Sequence, residues 1–336
     1  MKSTRIAING LGRIGKLLLR DFAEHGMLEQ VVLLNDKVGT AEEHAHLLEF
    51  DTVHGRWNAD IQTTEQGLCI DDVNIALSCQ AEIDSIPFSE LDVELVIDCT
   101  GEYRVKAAID PYFVAGAQHV LVSCPVKDGS ANNIVYGVNH DTYNPEEDKI
   151  ITAASCTTNC IAPVIKVLHE AVGISHGSIT TLHDVTNTQT IVDRPGKELR
   201  RARSALNSLI PTTTGSASAI SLIYPELKGR LDGHAVRVPL LNASITDCVF
   251  EMSRAVTADE LNALFKAASE GELHGILGYE TRPLVSTDYV NDPRSAIIDA
   301  QSTLVVNETQ AKIYAWYDNE WAYACRMGDI TRHMLR

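Results

Sequence analysis

The sequence predicts an α/β protein, with a doubly wound parallel sheet in the first half and an α+β domain with a mixed or antiparallel sheet in the second. The first half alternates short, continuously apolar runs with helical patterns, as buried parallel strands separated by crossover helices do. The second half has longer runs of alternating polarity, which are typical of strands with one face in solvent. The length of 336 residues favours two domains.

The elements of the first half are predicted from its β-branched apolar runs and from one helical pattern. The predicted strands are residues 5–9, 31–35, 95–99, 119–123 and 134–136, and the predicted helix is residues 15–25. Continuously apolar strands separated by helices favour a parallel sheet with both faces covered. We expect the first domain to comprise residues 1–154.

The pattern changes after the segment SCTTNC, where a helix and four alternating strands are predicted. The helix is residues 161–171, and the strands are residues 177–183, 235–238, 246–252 and 311–316. Residues 184–214 have little periodicity, and an irregular segment of that length is usually functional or forms an interface. We expect a catalytic domain over residues 155–318 and a C-terminal helix over residues 319–336 that returns to the first domain.

Composition and charge exclude several classes of protein. Apolar residues make up 45% of the chain, and 28 basic against 45 acidic residues give a net charge of −17. So acidic a surface repels nucleic acid and anionic lipid, and no apolar run is long enough to span a membrane. The eight cysteines mostly lie in apolar runs without zinc-site spacing, and the chain starts without a secretory signal. We therefore expect a cytoplasmic protein with reduced thiols, no bound metal, and no nucleic-acid or membrane partner.

A G-x-G-x-x-G sequence formed by Gly10, Gly12 and Gly15 directly follows the first predicted strand. Its first glycine permits a tight turn, the second lets the backbone approach a pyrophosphate, and the third allows close helix packing. By itself the motif could be a structural turn. However, Asp36 ends the second predicted strand, where a carboxylate can accept hydrogen bonds from both ribose hydroxyls and would repel a 2′-phosphate. The pattern predicts a Rossmann-type dinucleotide site that prefers NAD to NADP.

Cys156 and His183 are the candidate catalytic residues. Cys156 precedes a predicted helix, where the helix dipole and free backbone N–H groups stabilise a thiolate. It could instead be a core residue on one helical face with Cys160, but its polar neighbours Ser155 and Thr157 indicate an open site. His183 ends a predicted strand, where a lone histidine is more often structural than catalytic. Its combination with a thiolate, a dinucleotide site and a basic loop favours catalysis.

Six motifs resemble those of the glyceraldehyde-3-phosphate dehydrogenase family, in order and spacing, over nearly the whole chain. They are INGLGRIG, ASCTTNC, HDVTNTQTIVD, IPTTTG, AVRVP and WYDNEW. Within that family, HDVTNTQT, PTTTGSASAI and LNASITDCVFE resemble the branch encoded beside arsenic-resistance genes. The resemblance implies a homotetramer that oxidises glyceraldehyde 3-phosphate with NAD and uses inorganic phosphate or arsenate as acceptor. With arsenate the product would be 1-arseno-3-phosphoglycerate.

The resemblance also implies roles for individual residues. Cys156 would attack the aldehyde to form a thioester, and His183 would act as its base and help to stabilise the oxyanion. The 3-phosphate of the substrate would bind Thr186 and Arg237, and Asn319 would hold the nicotinamide carboxamide. The implied residues for the inorganic anion are Ser155, Thr157, Thr214, Gly215 and Arg200. The other implied cofactor-binding residues are Gly10, Gly12, Arg13, Ile14, Gly15, Asp36, Thr100, Gly101 and Ser123.

Three positions depart from the family pattern, and a fourth lies beside a predicted anion ligand. Thr190 stands where the family has a lysine, which removes a positive charge near the anion sites. Ala81 falls where the family has an arginine near the adenine, so NAD affinity would be weaker or the loop built differently. Asp184, directly after the candidate base, is atypical, and the sequence supplies no physical reason for it. Arg201, next to Arg200 in a basic run, is expected to be a solvated or subunit-facing charge.

Other functions are compatible with parts of the pattern. Erythrose-4-phosphate dehydrogenase shares the fold and the cysteine–histidine pair, but its usual segment lacks a threonine at the position of Thr186. Reductases of aspartate semialdehyde and N-acetylglutamyl phosphate use similar chemistry but normally NADP, which Asp36 disfavours. A catalytically idle, NAD-binding regulatory protein is a different class, which the joint presence of Cys156, His183 and Arg237 disfavours.

Overall fold

The computed structural model describes residues 4–196 and 198–336, which fold into two compact units. The first unit comprises the described residues up to Tyr136, His140–Ser155 and Ala324–Arg336. The second comprises Gly137–Asn139 and Cys156–Tyr323. Two expected limits differ from these, because Ser155 lies in the first unit and residues 319–323 lie in the second.

The first unit contains a nine-stranded sheet within the described residues. Its strands are β1 Ile6–Asn9, β2 Val31–Asn35, β3 Ile61–Thr63, β4 Gly67–Ile70, β5 Val73–Ser78, β6 Leu95–Asp98, β7 His119–Val122, β8 Asn132–Asn133 and β9 Ile150–Thr152. Helices α1 Arg13–Glu24, α2 Ala41–Glu49 and α3 Lys106–Val114 connect them. The spatial order is β3-β4-β5-β2-β1-β6-β7-β9-β8, and every pair from β5 to β8 is parallel.

The order of β2, β1 and β6 determines where a ligand can bind to this sheet. The chain passes from β1 to β2 on one side of β1 and reaches β6 on the other side. Connections that leave in opposite directions open a crevice at the carboxyl ends of the strands. All four residues of β1 and of β6 are buried, as expected for parallel strands covered on both faces.

The second unit contains an eight-stranded mixed sheet within the described residues. Its strands are β10 Ile174–His183, β11 Ile210–Thr213, β12 Leu231–Arg237, β13 Ser244–Met252, β14 Leu277–Glu280, β15 Ala296–Asp299, β16 Leu304–Val306 and β17 Gln310–Tyr317. The helices are α4 Cys156–Ala171, α5 Ser216–Ile220 and α6 Ala258–Glu270, and α7 Trp321–Met334 follows at the end of the chain. The order is β11-β12-β10-β13-β17-β15-β14, with β16 paired to β17. Pairs β10–β12 and β14–β15 are parallel, and the others are antiparallel.

Helix α4 is anchored in the core of the second unit. Every residue from Thr157 to Ile165 is buried. Cys160 is fully buried, and its Sγ lies 3.5 Å from Thr246 Oγ1 of β13. Residues four apart lie on the same helical face, so this contact directs Cys156 toward the sheet as well.

The predicted fold class is confirmed by the parallel sheet of the first unit and the mixed sheet of the second. Three predicted elements differ. Residues 134–136 are not a strand, because the sheet residues are Asn132–Asn133 and the chain then leaves the ladder. Helix α4 begins at Cys156 rather than at residue 161. Ile210–Thr213, within the segment predicted to be irregular, is a strand paired with β12. Among the described residues, no helix combines the length and the apolarity needed to cross a membrane.

Candidate active site and cofactor groove

The turn between β9 and α4 sets Cys156 at a helix N-terminus. Ala154 in this turn has a φ of +52°, in the left-handed region, and its N–H donates to Thr152 Oγ1 over 3.0 Å. The helix then begins at Cys156 and continues for 16 residues. The helix dipole and the N–H groups of its first turn therefore act on the Cys156 sulfur, which is an arrangement that stabilises a thiolate.

His183 is the last residue of β10, and its ring faces the sulfur of Cys156. Nε2 lies 3.6 Å from Sγ, and His183 is only 4% exposed. Burial lowers the pKa of His183, but the Asp184 carboxylate and the Cys156 sulfur outweigh burial and raise the pKa to about 9. Burial raises the pKa of the Cys156 thiol, but the hydrogen bond and charge of His183 outweigh it, so that pKa is lowered. The two shifts favour a thiolate–imidazolium pair at neutral pH.

Tyr317 packs against the side of the Cys156–His183 pair that faces the core of the second unit. Its hydroxyl is 2.9 Å from Thr157 Oγ1 and 2.9 Å from Thr181 Oγ1. Its ring packs edge-on against the His183 ring, with 6.1 Å between centroids. Thr157 was expected at an anion site, but its hydroxyl is hydrogen-bonded to Tyr317 within the core. The backbone N–H of Thr157 belongs to the first turn of α4, where N–H groups have no acceptor within the helix.

Asp184 has a fully buried carboxylate directly beside the base. Oδ1 lies 2.5 Å from His183 Nδ1, and Oδ2 accepts a hydrogen bond from Asn319 Nδ2 over 3.0 Å. Asn319 Oδ1 accepts a hydrogen bond from Ser244 Oγ over 3.0 Å. Ser244 Oγ also accepts from the backbone N–H of Asp184 over 3.2 Å. Asn319, expected at the nicotinamide carboxamide, thus has its amide bonded to Asp184 and Ser244.

Arg237 of β12 is the register partner of His183 in β10. Its Nη1 lies 2.5 Å from His183 Nδ1 and donates to the main-chain oxygen of Asp184 over 3.0 Å. Its Nε is buried, and no described residue accepts a hydrogen bond from it. Burial lowers the pKa of Arg237, and the positive charge of Arg201 acts in the same direction.

Arg201 is not the solvated charge that the sequence predicts. Its side chain is 24% exposed and donates to Thr212 Oγ1 over 2.8 Å and to Thr188 Oγ1 over 3.2 Å. Arg200, the predicted anion ligand, instead lines an open pocket of the loop beside Leu199. Threonines of the loop and of β11, together with an ion pair to Glu198 at 2.9 Å, hold the guanidinium in place of solvent, and the subunit-facing alternative for Arg201 stays a prediction.

The other predicted anion-binding residues lie in two turns. The N–H and Oγ1 of Thr186 both donate to Gln189 Oε1, over 2.9 and 3.2 Å, so Gln189 fixes the turn after His183. Thr214 and Gly215 lie directly before the short helix α5, of which Gly215 is the N-cap. Ser155 precedes Cys156 at the end of the first unit. The anion-binding roles of these residues stay predictions.

The three glycines of the G-x-G-x-x-G motif, Gly10, Gly12 and Gly15, have different surroundings, as their different predicted roles require. Gly10 has a φ of +98°, and a Cβ there would lie 2.8 Å from the carbonyl carbon of Cys99. A Cβ on Gly15 would lie 2.0 Å from the carbonyl oxygen of Gly10. At Gly12 no described atom lies within 4 Å of a Cβ position, and α1 begins at the next residue. The backbone at Gly12 is therefore open to a pyrophosphate at the helix N-terminus.

A groove beside these glycines is lined by residues that follow the carboxyl ends of β1, β2, β5 and β6. They include Asn9, Asp36, Gln80, Ala81 and Thr100. The Asp36 carboxylate accepts the N–H groups of Leu11 over 2.7 Å and Val38 over 3.1 Å, which orients it in the groove. Thr100 donates its N–H and its hydroxyl to Asp98 Oδ1, over 3.1 and 2.9 Å. These contacts fit a dinucleotide at the switch point of the sheet.

The remaining predicted cofactor residues surround this groove. Arg13 and Ile14 form the first turn of α1, and the guanidinium of Arg13 pairs with the buried carboxylate of Asp51. Gly101, with a φ of +69°, lies beyond the end of β6. Ser123 directly follows β7. The side chain of Arg13 thus supports the fold of the first unit, and its backbone lies at the helix N-terminus.

Two residues of the active centre were not among the predicted site residues. They are Asp184, beside the base, and Tyr317, beneath the cysteine. Each lies in a motif quoted above, HDVTNTQTIVD for Asp184 and WYDNEW for Tyr317. A carboxylate directly after a candidate base was the available signal for Asp184.

Comparisons with known proteins agree with this geometry. Residues 4–106 match the family description "Glyceraldehyde 3-phosphate dehydrogenase, NAD binding domain", and residues 155–319 match "Glyceraldehyde 3-phosphate dehydrogenase, C-terminal domain". The chain is 58% identical over 329 residues to "Glyceraldehyde-3-phosphate dehydrogenase 3" of Nostoc sp., covering 98% of this chain and 97% of that protein. It is 46% identical to "Glyceraldehyde-3-phosphate dehydrogenase 2" of Streptomyces avermitilis, with 97% of each chain covered. It is 43% identical to "Glyceraldehyde-3-phosphate dehydrogenase 2" of Bacillus subtilis, with 98% and 96% covered. The predicted cofactor NAD is confirmed by the matched NAD binding domain.

Proposed function

The chain belongs to the glyceraldehyde 3-phosphate dehydrogenase family, and from this premise we propose that it oxidises glyceraldehyde 3-phosphate through a thioester on Cys156. The observation that carries the proposal is the pair of Cys156 and His183. A sulfur at the N-terminus of a 16-residue helix lies 3.6 Å from Nε2 of a buried histidine. This arrangement supplies an activated nucleophile together with its base.

In the proposed reaction the Cys156 thiolate attacks the aldehyde carbon. The imidazolium of His183 stabilises the oxyanion and donates its Nε2 proton to it, and the neutral imidazole takes that proton back as hydride leaves the carbon and the carbonyl forms. NAD, when bound in the groove of the first unit, supplies the hydride acceptor. Attack of an inorganic anion on the thioester releases the acyl product and restores the thiolate.

Two sets of donors support binding of the anions. For the 3-phosphate of the substrate we propose Thr186 and Arg237, because Thr186 lies in the turn after His183 and the guanidinium of Arg237 lies beside the His183 ring. For the inorganic anion we propose Ser155, the backbone at Thr157, and Thr214 with Gly215. We propose Arg201 rather than Arg200 as the cation of this second site. The side chain of Arg201 is bonded to Thr212 of β11, two residues before Thr214, whereas Arg200 lines the outer pocket of the loop.

We propose that arsenate as well as phosphate serves as the acceptor. The two anions share shape, charge and donor requirements, so a site of hydroxyl, backbone and guanidinium donors separates them weakly. Thr190, in place of the family's lysine, removes a positive charge from the loop, and its hydroxyl donates to Val192 O over 2.7 Å. Turnover with arsenate at least equal to that with phosphate would support this role, and Thr190→Lys should shift the ratio toward phosphate. Efficient turnover with phosphate and poor turnover with arsenate would contradict the arsenate role and leave the dehydrogenase intact.

The activity is tested by NADH formation from glyceraldehyde 3-phosphate, NAD and phosphate. Cys156→Ser should abolish turnover and retain NAD binding, because the groove lies in the other unit. Stoichiometric iodoacetamide should label Cys156 before the other seven cysteines, four of which are buried. Preferential labelling of Cys160 with activity intact would overturn the assignment of the nucleophile.

We also propose a homotetramer in the cytoplasm. Five large apolar side chains of the segment 184–214 are more than two-thirds exposed in the single chain, which favours a subunit interface. They are Ile191, Val192, Leu199, Leu206 and Leu209. The free thiols of the eight cysteines suit a reducing compartment.

A further inference from the structure

His183 has two ring nitrogens, and the structure gives each a different neighbour. Nε2 faces Cys156 Sγ at 3.6 Å. Nδ1 lies 3.0 Å from the main-chain oxygen of Asp184, 2.5 Å from Asp184 Oδ1 as an ion pair, and 2.5 Å from Arg237 Nη1. Tyr317 presents only its ring edge to the imidazole. The charged groups around His183 are thus the sulfur on one side and a carboxylate with a guanidinium on the other.

The neighbours of Nδ1 favour opposite states of the ring. A guanidinium can only donate hydrogen bonds, so Arg237 favours a bare Nδ1 and leaves the ring proton on Nε2. The main-chain oxygen and the carboxylate of Asp184 accept, so both favour a proton on Nδ1, and the charge of the carboxylate also stabilises the imidazolium. A ring that carries its only proton on Nε2 cannot accept a proton from Cys156. The two acceptors of Asp184 therefore oppose Arg237 and allow the ring to act as a base toward the sulfur, and only the carboxylate supplies a charge.

The position of the Asp184 carboxylate is fixed by residues from distant parts of the chain. Its Oδ2 accepts from Asn319 Nδ2, and Asn319 Oδ1 accepts from Ser244 Oγ. The carboxylate is fully buried, where a charge is retained only with partners. Because Asn319 holds Oδ2, the other oxygen is left to face Nδ1.

We propose that Asp184 is a positioning residue that keeps the Nδ1 proton on His183, directs Nε2 to Cys156, and offsets the charge of Arg237. The reactive group is then a cysteine–histidine–aspartate triad, held by Asn319 and Ser244. Within it the proton moves from Cys156 Sγ to His183 Nε2, and no proton passes on to Asp184. This role rests on the proposed function, in which Cys156 is the nucleophile and His183 the base.

The test replaces Asp184 with a neutral residue of the same shape and measures the sulfur directly. Asp184→Asn should slow alkylation of Cys156 by iodoacetamide at pH 7 at least about tenfold and move the rise of the rate to higher pH. It should also lower kcat/KM by roughly a hundredfold or more, because a neutral amide no longer offsets the charge of Arg237 or stabilises the imidazolium that general-base catalysis forms. Asp184→Ala serves if the asparagine variant does not fold.

Asp247→Asn is the matched control. Asp247 lies on β13 of the same sheet, and its carboxylate pairs with Lys312 at 2.5 Å rather than with the active centre. This variant should retain the wild-type alkylation profile. If the two substitutions act only by destabilising the fold, the melting temperature of both variants should fall and the pH dependence of Cys156 alkylation should stay as in wild type.

The outcomes separate this role from the proposed function. If wild-type enzyme forms NADH and is labelled at Cys156, yet Asp184→Asn keeps the wild-type alkylation profile, the positioning role is wrong and the function stands. The same holds if kcat/KM falls while the alkylation profile is unchanged, since the loss then lies outside the sulfur–imidazole pair. If wild-type enzyme shows neither NADH formation nor labelling of Cys156, the proposed function falls and the triad with it.

Discussion

Asp36 should set the choice between NAD and NADP, and Asp36→Asn tests this with little change of shape. The carboxylate lines the groove and is held by the N–H groups of Leu11 and Val38. A 2′-phosphate about 4 Å away would be repelled by about 1 kcal/mol in water and about 4 kcal/mol at a protein surface of lower effective dielectric. Asp36 is half-buried, so we expect a value of about 2 kcal/mol, or roughly 30-fold in relative affinity.

The measurement is the ratio of kcat/KM with NAD to kcat/KM with NADP, for wild type and Asp36→Asn. The ratio should fall about 30-fold, mainly through better use of NADP. Glu102→Gln is the control, because Glu102 lines the same groove, pairs with Lys37 at 2.5 Å and lies on the exposed side. If both variants change the ratio equally, the preference for NAD over NADP depends on the total charge of the groove and not on Asp36 in particular. If Asp36→Asn leaves the ratio unchanged, Asp36 does not contact the ribose and the reasoning is refuted.

Three further predictions concern the second unit. Alkylation of Cys156 should rise at a lower pH than that of an ordinary thiol, because the pKa of Cys156 is lowered, and should change again as the pH passes about 9, where His183 loses its proton. The stability from the raised pKa of His183 is complete below about 6.5 and is lost as the pH rises through about 9. Arg201→Ala should raise KM for phosphate at least about tenfold, as expected for loss of a charged hydrogen-bond donor, whereas Arg200→Ala should change it less than about threefold. If steady-state kinetics show the larger rise in KM for Arg200→Ala, Arg200 rather than Arg201 is the cation of the anion site. Light scattering should give a tetramer that Leu206→Glu weakens, and an active wild-type monomer would contradict the proposed interface.

The dinucleotide groove could be predicted because its determinants lie close together in the sequence. Gly15 lies against the carbonyl oxygen of Gly10, and Gly10 lies against the backbone of Cys99, directly after β6. The carboxylate of Asp36 accepts hydrogen bonds from Leu11 and Val38. Such short-range geometry leaves a recognisable spacing of residues. The fold class could be predicted for a similar reason, since buried parallel strands such as β1 are continuously apolar.

The missed features depend on contacts that no local pattern encodes. Asp184 is partnered by Asn319, 135 residues later, and Thr157 by Tyr317, 160 residues later. Strands β3 and β5 were missed because most of their residues are exposed or only partly buried, and neither has the continuously apolar run that predicted the other strands of this sheet. The start of α4 was placed too late because Thr157 and Thr158 are poor helix formers, whereas burial against the sheet holds them in the helix.

Tyr317 should contribute to stability more than to reactivity, and Tyr317→Phe separates the two. Removing the hydroxyl leaves Thr157 Oγ1 without one buried partner and Thr181 Oγ1 with only a 3.5 Å contact to Ile245 O. A buried hydroxyl that loses its partner costs about 1–3 kcal/mol, so the free energy of unfolding in urea should fall by about 2 kcal/mol. The edge-on ring contact with His183 is retained in phenylalanine, and the hydroxyl does not touch the sulfur in the contacts described above. Alkylation of Cys156 should therefore change less than about threefold, since neither charge of the thiolate–imidazolium pair is altered. A large loss of alkylation at unchanged stability would mean that the Tyr317 hydroxyl acts on the sulfur through Thr157, and Tyr317 would then belong with Asp184 among the residues that position the reactive pair.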